Sequence, residues 1–427
     1  MLTRLRSSSF RLLVRRDFGL LWLGEAISQV GDSLNRVALL WFAYQTSQST
    51  LRMSLVGVVQ TLPPLIFGPL IGVYLDRLRK KPALIAVSLV RAVLVSAIPL
   101  LHAAHLLSLN LLYLIVFAIS VVGAAAGPAL STAVPLLVSA ADLTAANALI
   151  QSTATVGVLL GPTVAGIGIS IFGISRVLYL DAASFVAFAA CVAFIRLPET
   201  DIPARVLLRL GELASDLRAG VAFLVREQTG ILVLTLVAGV QNLGASAFVF
   251  MLPGFVKTDV MAGSVWLGFL WSAFGLGMLV ASASIAMVRA GAVSKMLRIA
   301  LAALVLGGIS IAALSFIKVK LAAATLMVLI GWSAAAFNPV IISLVEGCTP
   351  VALRARVLTA FNSANMAAVT IGMLLFGWIA DRVGNGLTML GIGGVLLVSA
   401  LMLGMVMRIE ATRRMVENLA ASPAAGP

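Results

Sequence analysis

Charge is scarce in this sequence. Only 11% of its 427 residues are Asp, Glu, Lys or Arg, and 61% are apolar; a soluble domain carries about 25% charged residues. Mean hydropathy is +1.10. Those values exclude a water-soluble enzyme and a disordered chain. Cysteine is equally scarce. Cys191 lies in an apolar run and Cys348 in a predicted loop, so no disulfide is expected and a stapled scaffold is excluded. The two histidines, His102 and His105, are too few for a metal centre. A P-loop, an HExxH helix and a nucleophile elbow are all missing. The machinery for ATP-driven transport and for membrane-embedded proteolysis is therefore absent. No enzymatic activity, cofactor or metal is expected.

What is present is a series of long apolar runs. They read as spans at Phe18–Tyr44, Ser54–Leu75, Pro82–Leu101, Leu111–Leu137, Ala146–Phe172 and Val177–Ile195. After a polar stretch come Ile231–Phe255, Val265–Val288, Met296–Ile317, Leu321–Leu344, Val357–Ala380 and Leu387–Met407. A helix needs about 20 apolar residues to cross a bilayer, and each run is long enough. The expected fold is an all-α membrane protein with twelve transmembrane helices in two six-helix halves. Residues 1–197 form the first half, 198–230 a cytoplasmic linker, 231–408 the second half and 409–427 a cytoplasmic tail. Within the linker, Ala214–Val225 reads as an amphipathic helix on the membrane face. Met1–Arg16 is basic and lacks a small-residue cleavage site, so the first span is expected to remain in the protein.

The net charge of +14 follows the topology. Of the 30 Lys and Arg residues, 22 fall in the segments on one side, among them Arg4 to Arg16, Arg77 to Lys81 and Arg196 to Arg226. Six fall on the other side, and Arg36 and Arg91 lie within spans. Cytoplasmic loops collect Lys and Arg, so both termini are expected inside. This explains the basic balance without nucleic acid as a partner. The halves also resemble each other weakly: Leu160–Gly173 and Ile371–Gly384 share three glycines at an offset of 211 residues. Two halves related by duplication are a common plan for secondary transporters.

The first span carries the chemistry. Glu25, Gln29, Asp32 and Arg36 sit at spacings of 4, 3 and 4, within an arc of about 60° on a helix. Three charges at mid-membrane cost ~2.5–3.5 kcal/mol each. The eleven Leu, Ile, Phe and Val residues of this span contribute only ~0.3–0.6 kcal/mol each in favour. The cost exceeds the gain, so the stripe must face other helices or water. Asp32 and Arg36, one turn apart, form a candidate structural ion pair. Glu25 has no partner within its own helix and is a candidate proton carrier, as is Asp32. Arg91 in the third span lies at a similar depth to Glu25. Asp181 in the sixth span lies near its outer end, where a helix-end carboxylate is the plainer expectation. These five are the proton-coupling candidates. Spans seven to twelve have no charge in their interiors. Their polar residues, Gln241, Asn242, Asn338, Asn362 and Asn365, together with Gln29, are candidates for substrate contacts.

The second span ends in Gly72-Val-Tyr-Leu-Asp76-Arg77-Leu-Arg79-Lys80-Lys81. This resembles the loop motif of the major facilitator superfamily, except that Arg79 stands where glycine is usual. The resemblance implies a gating role for Gly72, Asp76, Arg77, Lys80 and Lys81, with Asp76 at a neighbouring helix N-terminus. The fifth span holds Gly157, Gly161, Pro162 and Gly166. This is similar to the fifth-span motif of drug–proton antiporters in that superfamily, with Ala165 where Gly is frequent. Ser28-Gln29-Val30-Gly31-Asp32, Val134-Pro135 with Asn147, and Leu180-Asp181-Ala182-Ala183-Ser184-Phe185 resemble the branch with macrolide efflux proteins and the enterobactin exporter. The resemblance implies a secondary active transporter in a bacterial inner membrane. It would export a small amphipathic molecule against protons by alternating access, as a monomer in the lipid bilayer. A proton-coupled importer and a non-transporting receptor on the same fold are the rival expectations.

Overall fold

The computed structural model describes residues 12–76, 78–198, 229–258, 261, 263–286, 293–317, 319–350 and 353–408. The amphipathic segment expected at Ala214–Val225 lies outside them. Helices follow one another without a strand among the described residues: α1 Arg16–Ser47, α2 Thr50–Asp76, α3 Lys80–Ala103, α4 Leu109–Gly123, α5 Ala126–Leu137, α6 Leu143–Phe172 and α7 Ile174–Phe194. Then come α8 Thr229–Thr258, α9 Ser264–Ala286, α10 Val293–Leu314, α11 Lys320–Cys348, α12 Arg354–Val383 and α13 Asn385–Arg408.

Ten segments are long and apolar enough to cross a membrane, or eleven if the bent pair within α6 is one span. Helix α1 is not among them, and its sequence gives the reason: Asp17, Glu25, Asp32 and Arg36 interrupt its apolar run. The stretch expected as one helix from Leu111 to Leu137 breaks after Gly123. Pro128 has no N–H for the Ala124 carbonyl, so the ladder cannot run through. Helix α6 bends by 43° between Gly157 and Leu160, where Pro162 leaves the carbonyl of residue 158 without its donor.

The chain divides into two compact units. One comprises Met1–Gln48, Leu55–Leu208 and Gly263–Phe269. The other comprises Ser49–Ser54, Arg209–Ala262 and Leu270–Pro427. In the first, α7 packs along α1 and α3, and α6 lies against α1. Phe18 and Leu21 are buried there with Ala133, Val134 and Val192. In the second, α12 and α13 pack on α8, and α10 on α11 and α13, around Phe337, Phe361 and Leu403.

The three glycines shared at an offset of 211 occupy matching positions within each unit. A Cβ on Gly161 would run into Ser33 of α1, and one on Gly372 into the Leu243 backbone of α8. A Cβ on Gly166 would meet the Ser264 carbonyl that opens α9; one on Gly377 would meet Leu51 and Ser54 in the first turns of α2. Gly173 and Gly384 close α6 and α12 at φ +79° and +87°, a left-handed backbone that side chains disfavour. The repeat expected from sequence is thus a repeat of close helix approaches. Beside it, Asp381 of α12 holds the start of α2. Its carboxylate accepts from the Thr50 amide at 2.6 Å and from Ser49 Oγ, while Ser49 Oγ accepts from the Arg52 amide at 3.1 Å. This satisfies amide groups that a helix start leaves open.

Candidate functional site

The polar stripe of α1 is placed by helical periodicity and held by its neighbours. Gln29 Nε2 donates to Glu25 Oε1 at 2.8 Å. Glu25 therefore does have a partner within its own helix, though an uncharged one, because residues four apart share a face. Ser33, between the stripe residues, donates to the Gln29 carbonyl at 2.9 Å and to the Gly157 carbonyl at 3.1 Å. Gly161 lets α6 approach that closely, since a side chain there would strike Ser33, while a Cβ on Gly157 would make ordinary contact with Gln29 and Ser33. The fifth-span motif therefore packs on the stripe itself. Pro162 bends the same helix, and Gly166 lies farther along it, where its carbonyl accepts from Ser264 Oγ at 3.1 Å.

Asp32 does not pair with Arg36. Its Oδ1 is ion-paired with Nη2 of Arg91 from α3, and Arg36 is exposed with no ion pair among the described residues. Burial decides between the two arginines. The Arg91 side chain is 13% exposed, and its guanidinium lies 4.0 Å from the centre of the Phe185 ring of α7. A cation desolvated over a ring gains more than a hydrated one, and an exposed pair contributes ~0–1 kcal/mol. Gly123 of α4 leaves room beside Arg91: a Cβ there would sit 3.5 Å from Nε.

Asp181 is not a helix-end carboxylate. It is 0% exposed, packed where α7 meets α1. Gly31 makes that contact possible, since a Cβ on it would fall 2.6 Å from Asp181 Oδ1 and against Ser184 Oγ. The oxygen Oδ1 is 3.5 Å from Ser184 Oγ, and Oδ2 has no hydrogen-bond partner. The buried Oδ1 of Asn35 and Nε of Arg91 are likewise without partners. The structure thus gathers Glu25, Gln29, Asp32, Arg91 and Asp181 in one unit and leaves Arg36 at the edge.

In the other unit, Asn242 Nδ2 donates to Asn365 Oδ1 at 2.9 Å, and Asn365 Nδ2 donates to the Phe361 carbonyl at 2.8 Å. Gln241 is buried with Oε1 unpartnered. Asn338 is half-buried and Asn362 exposed. No hydrogen bond among the described residues joins either to the Asn242–Asn365 pair.

Gly72 and Asp76 fall in the last turns of α2. Arg77 and the Asp76 side chain lie outside the described residues, so the gating role of this motif stays an expectation. Arg79 precedes α3 at φ −60° and ψ 124°, a conformation open to any residue, so the departure from glycine there costs no strain. Lys80 begins α3. Lys81 Nζ donates to the carbonyls of Ala193 at 2.7 Å and Ile195 at 2.8 Å, where a cation suits the end of α7.

Sequence reasoning missed Ser33, Asn35 and Asp381, and it named Phe185 only as part of a motif. The signal for Asp381 was legible: Gly377-x-x-x-Asp381-Arg382-x-Gly384 repeats the pattern Gly72-x-x-x-Asp76-Arg77. Phe185 lies four residues after Asp181, on its face.

A family described as "transmembrane secretion effector" matches residues 7–424. Macrolide efflux protein A of Streptococcus pyogenes is 25% identical over 379 residues, covering 86% of this chain and 90% of that protein. The multidrug efflux pump Tap of Mycolicibacterium fortuitum is 24% identical over 371 residues, covering 85% and 88%. Among solved structures, the nucleoside transporter NupG (D323A mutant) aligns at a TM-score of 0.72 with 15% identity, covering 91% of this chain and 99% of that one. A bacterial homologue of the human lysosomal transporter Spinster aligns at 0.64 with 12% identity, covering 95% and 99%. At those identities the structures establish a shared fold.

Proposed function

We propose that this chain, which belongs to the transmembrane secretion effector family of major facilitator superfamily transporters, exports a small amphipathic organic molecule in exchange for protons by alternating access. The observation that carries the reading is the Asp32–Arg91 ion pair, bridged between helices of a membrane transporter beside Glu25 and Asp181. Ionisable groups inside a membrane are expensive and as a rule face function. Asp32 is 28% exposed, so the protein does not seal it while Arg91 holds it. Protonating Asp32 would release Arg91, and that is a change the fold can couple to substrate. The names of the relatives, macrolide efflux and multidrug efflux, favour export and an amphipathic substrate.

In this reading α1 is a span in spite of its charges. With the ten apolar segments and the bent α6 it brings the number to twelve. Both termini are cytoplasmic by the distribution of Lys and Arg. Residues 1–197 and 231–408 are the two transport halves of a monomer in a bacterial inner membrane. Gln241, Asn242 and Asn365 offer uncharged hydrogen bonds to substrate.

The test is accumulation of a dye and antibiotic panel in cells with and without the protein, before and after an uncoupler. Lower accumulation that the uncoupler reverses is the expected result; equal accumulation across the panel would overturn export of such compounds. In proteoliposomes with an imposed pH gradient, Asp32→Asn should abolish proton-driven flux while inserting normally, and Glu25→Gln should weaken it. Wild-type flux in Asp32→Asn would remove Asp32 from coupling.

A further inference from the structure

We propose that Arg91 has two seats, Asp32 in this structure and Asp181 in an alternate state, and that whichever carboxyl Arg91 leaves carries the proton. The inference deepens the proton-antiport reading and rests on it for its purpose, but its chemistry stands on unit 1 alone.

The geometry leaves one donor and one acceptor unspent. Arg91 binds Asp32 through Nη2, and its Nε, although buried, has no partner. Asp181 Oδ2 is buried without a hydrogen bond of its own, with the Asn35 amide beside the carboxyl. Arg91, from α3, reaches the face of α7 that carries Asp181. Arg91 stacks on Phe185 at 4.0 Å, and Asp181 is four residues before Phe185 on α7, where Cβ atoms are about 5–6 Å apart. Helices α1 and α7 also approach closely next to Asp32: a Cβ on Gly31, the residue before it, would fall 2.6 Å from Asp181 Oδ1. Gly123 offers no side chain to block a movement of the guanidinium.

Charge then dictates the protons. Helix α1 brings Asp32 to this place, with Glu25 two turns away and Arg36 at the exposed edge. Helix α3 brings Arg91. Helix α6 carries no charged residue, and the other charge on α7 is Arg176. One buried guanidinium therefore serves two carboxyls. An ionised oxygen buried with no donor bears its full desolvation cost, and a proton relieves it. In the seat seen here Arg91 pairs with Asp32 and leaves Asp181 without a cation, and the exchange places the proton on Asp181. When Arg91 moves to Asp181, the proton of Asp181 passes to Asp32, which Arg91 has left. The cluster stays neutral and holds one proton in both states, so no buried charge is left uncompensated during the exchange.

The test reads carboxylic acids directly and needs no substrate. Infrared spectra are recorded on the purified full-length protein at pH 7, unlabelled and grown with carboxyl-labelled aspartate. The expected wild-type spectrum has a protonated-carboxyl band that shifts with the aspartate label, and Asp181→Asn removes it. In Asp32→Asn the neutral amide frees Arg91 for Asp181, and the same band should again be lost. Asp181→Glu should restore a band that the aspartate label no longer shifts. Persistence of the wild-type band in Asp32→Asn would overturn the two-seat exchange. Absence of any label-sensitive acid band in wild type would overturn it without recourse to a variant that folds. Proton-driven flux is measured separately, so failure of antiport with an intact exchange, or the reverse, is distinguishable.

Discussion

Arg91 is the residue that ties α3 to the polar stripe of α1. It is the partner of Asp32, and Arg36 is not, although Arg36 is one turn from Asp32 on the same helix. Removing one partner of a buried pair costs ~3–5 kcal/mol. Asp32 is 28% exposed, so solvent lowers that figure here. Arg91→Ala should reduce melting stability in detergent measurably, and Arg36→Ala should leave it within ~0.5 kcal/mol of wild type. Equal losses in both variants would show that Arg36 shares the pairing. The stripe itself was legible in sequence, because 100° per residue places Glu25, Gln29, Asp32 and Arg36 together whatever surrounds them. Its partners were not legible. Arg91 and Asp181 are distant in sequence from Asp32, and only helix packing decides which of several charges is desolvated beside it.

At the scale of elements, the close approaches of α6 to α1 set the geometry of the stripe. A side chain at Gly161 would enter Ser33, and one at Gly31 would enter Asp181 and Ser184. Overpacking of this kind costs typically ~1–3 kcal/mol. Gly161→Ala should therefore lower the melting temperature, and it should also weaken proton-driven flux more than its stability loss explains, since Ser33 bonds the Gln29 carbonyl. An unchanged flux in a folded Gly161→Ala would confine the motif to packing. The start of α2 offers a separate test. Asp381 accepts its first amides, and capping carboxylates are worth ~0.5–2 kcal/mol. Asp381→Ala should destabilise unit 2 by about that amount, with Asp381→Asn recovering part of it, as read by melting in detergent. The glycines of both motifs were visible in the sequence, but only the folded helices show which neighbour each one admits.

For the whole molecule, the expected latch is Asp76 at the end of α2. A latch biases a transporter only if it holds in one state and releases in the other. Asp76→Asn removes a negative charge and keeps the basic residues that set topology. A helix-terminus carboxylate is worth ~0.3–1 kcal/mol, and up to ~2 kcal/mol when partly buried. The expected shift in the resting population is thus about two- to thirty-fold toward the state open to the cytoplasm. Spin labels at the ends of α2 near Asp76 and α12 near Arg354 would report it; an unchanged distance distribution across pH would leave this loop only its topological role.

Composition and period were enough to determine that this chain is a polytopic helical membrane protein, roughly where each helix runs, and that α1 carries charge a lone helix could not keep in lipid. Hydrophobic length and the 3.6-residue repeat are local properties, so one sequence reveals them. The repeated glycines at 161, 166 and 173 and at 372, 377 and 384 were also plain in the letters. What only the tertiary structure decided is pairing: Arg91 rather than Arg36 for Asp32, burial for Asp181, Asp381 for the first turn of α2. Those choices depend on which side chains lose water together, and that is settled when helices distant in sequence pack.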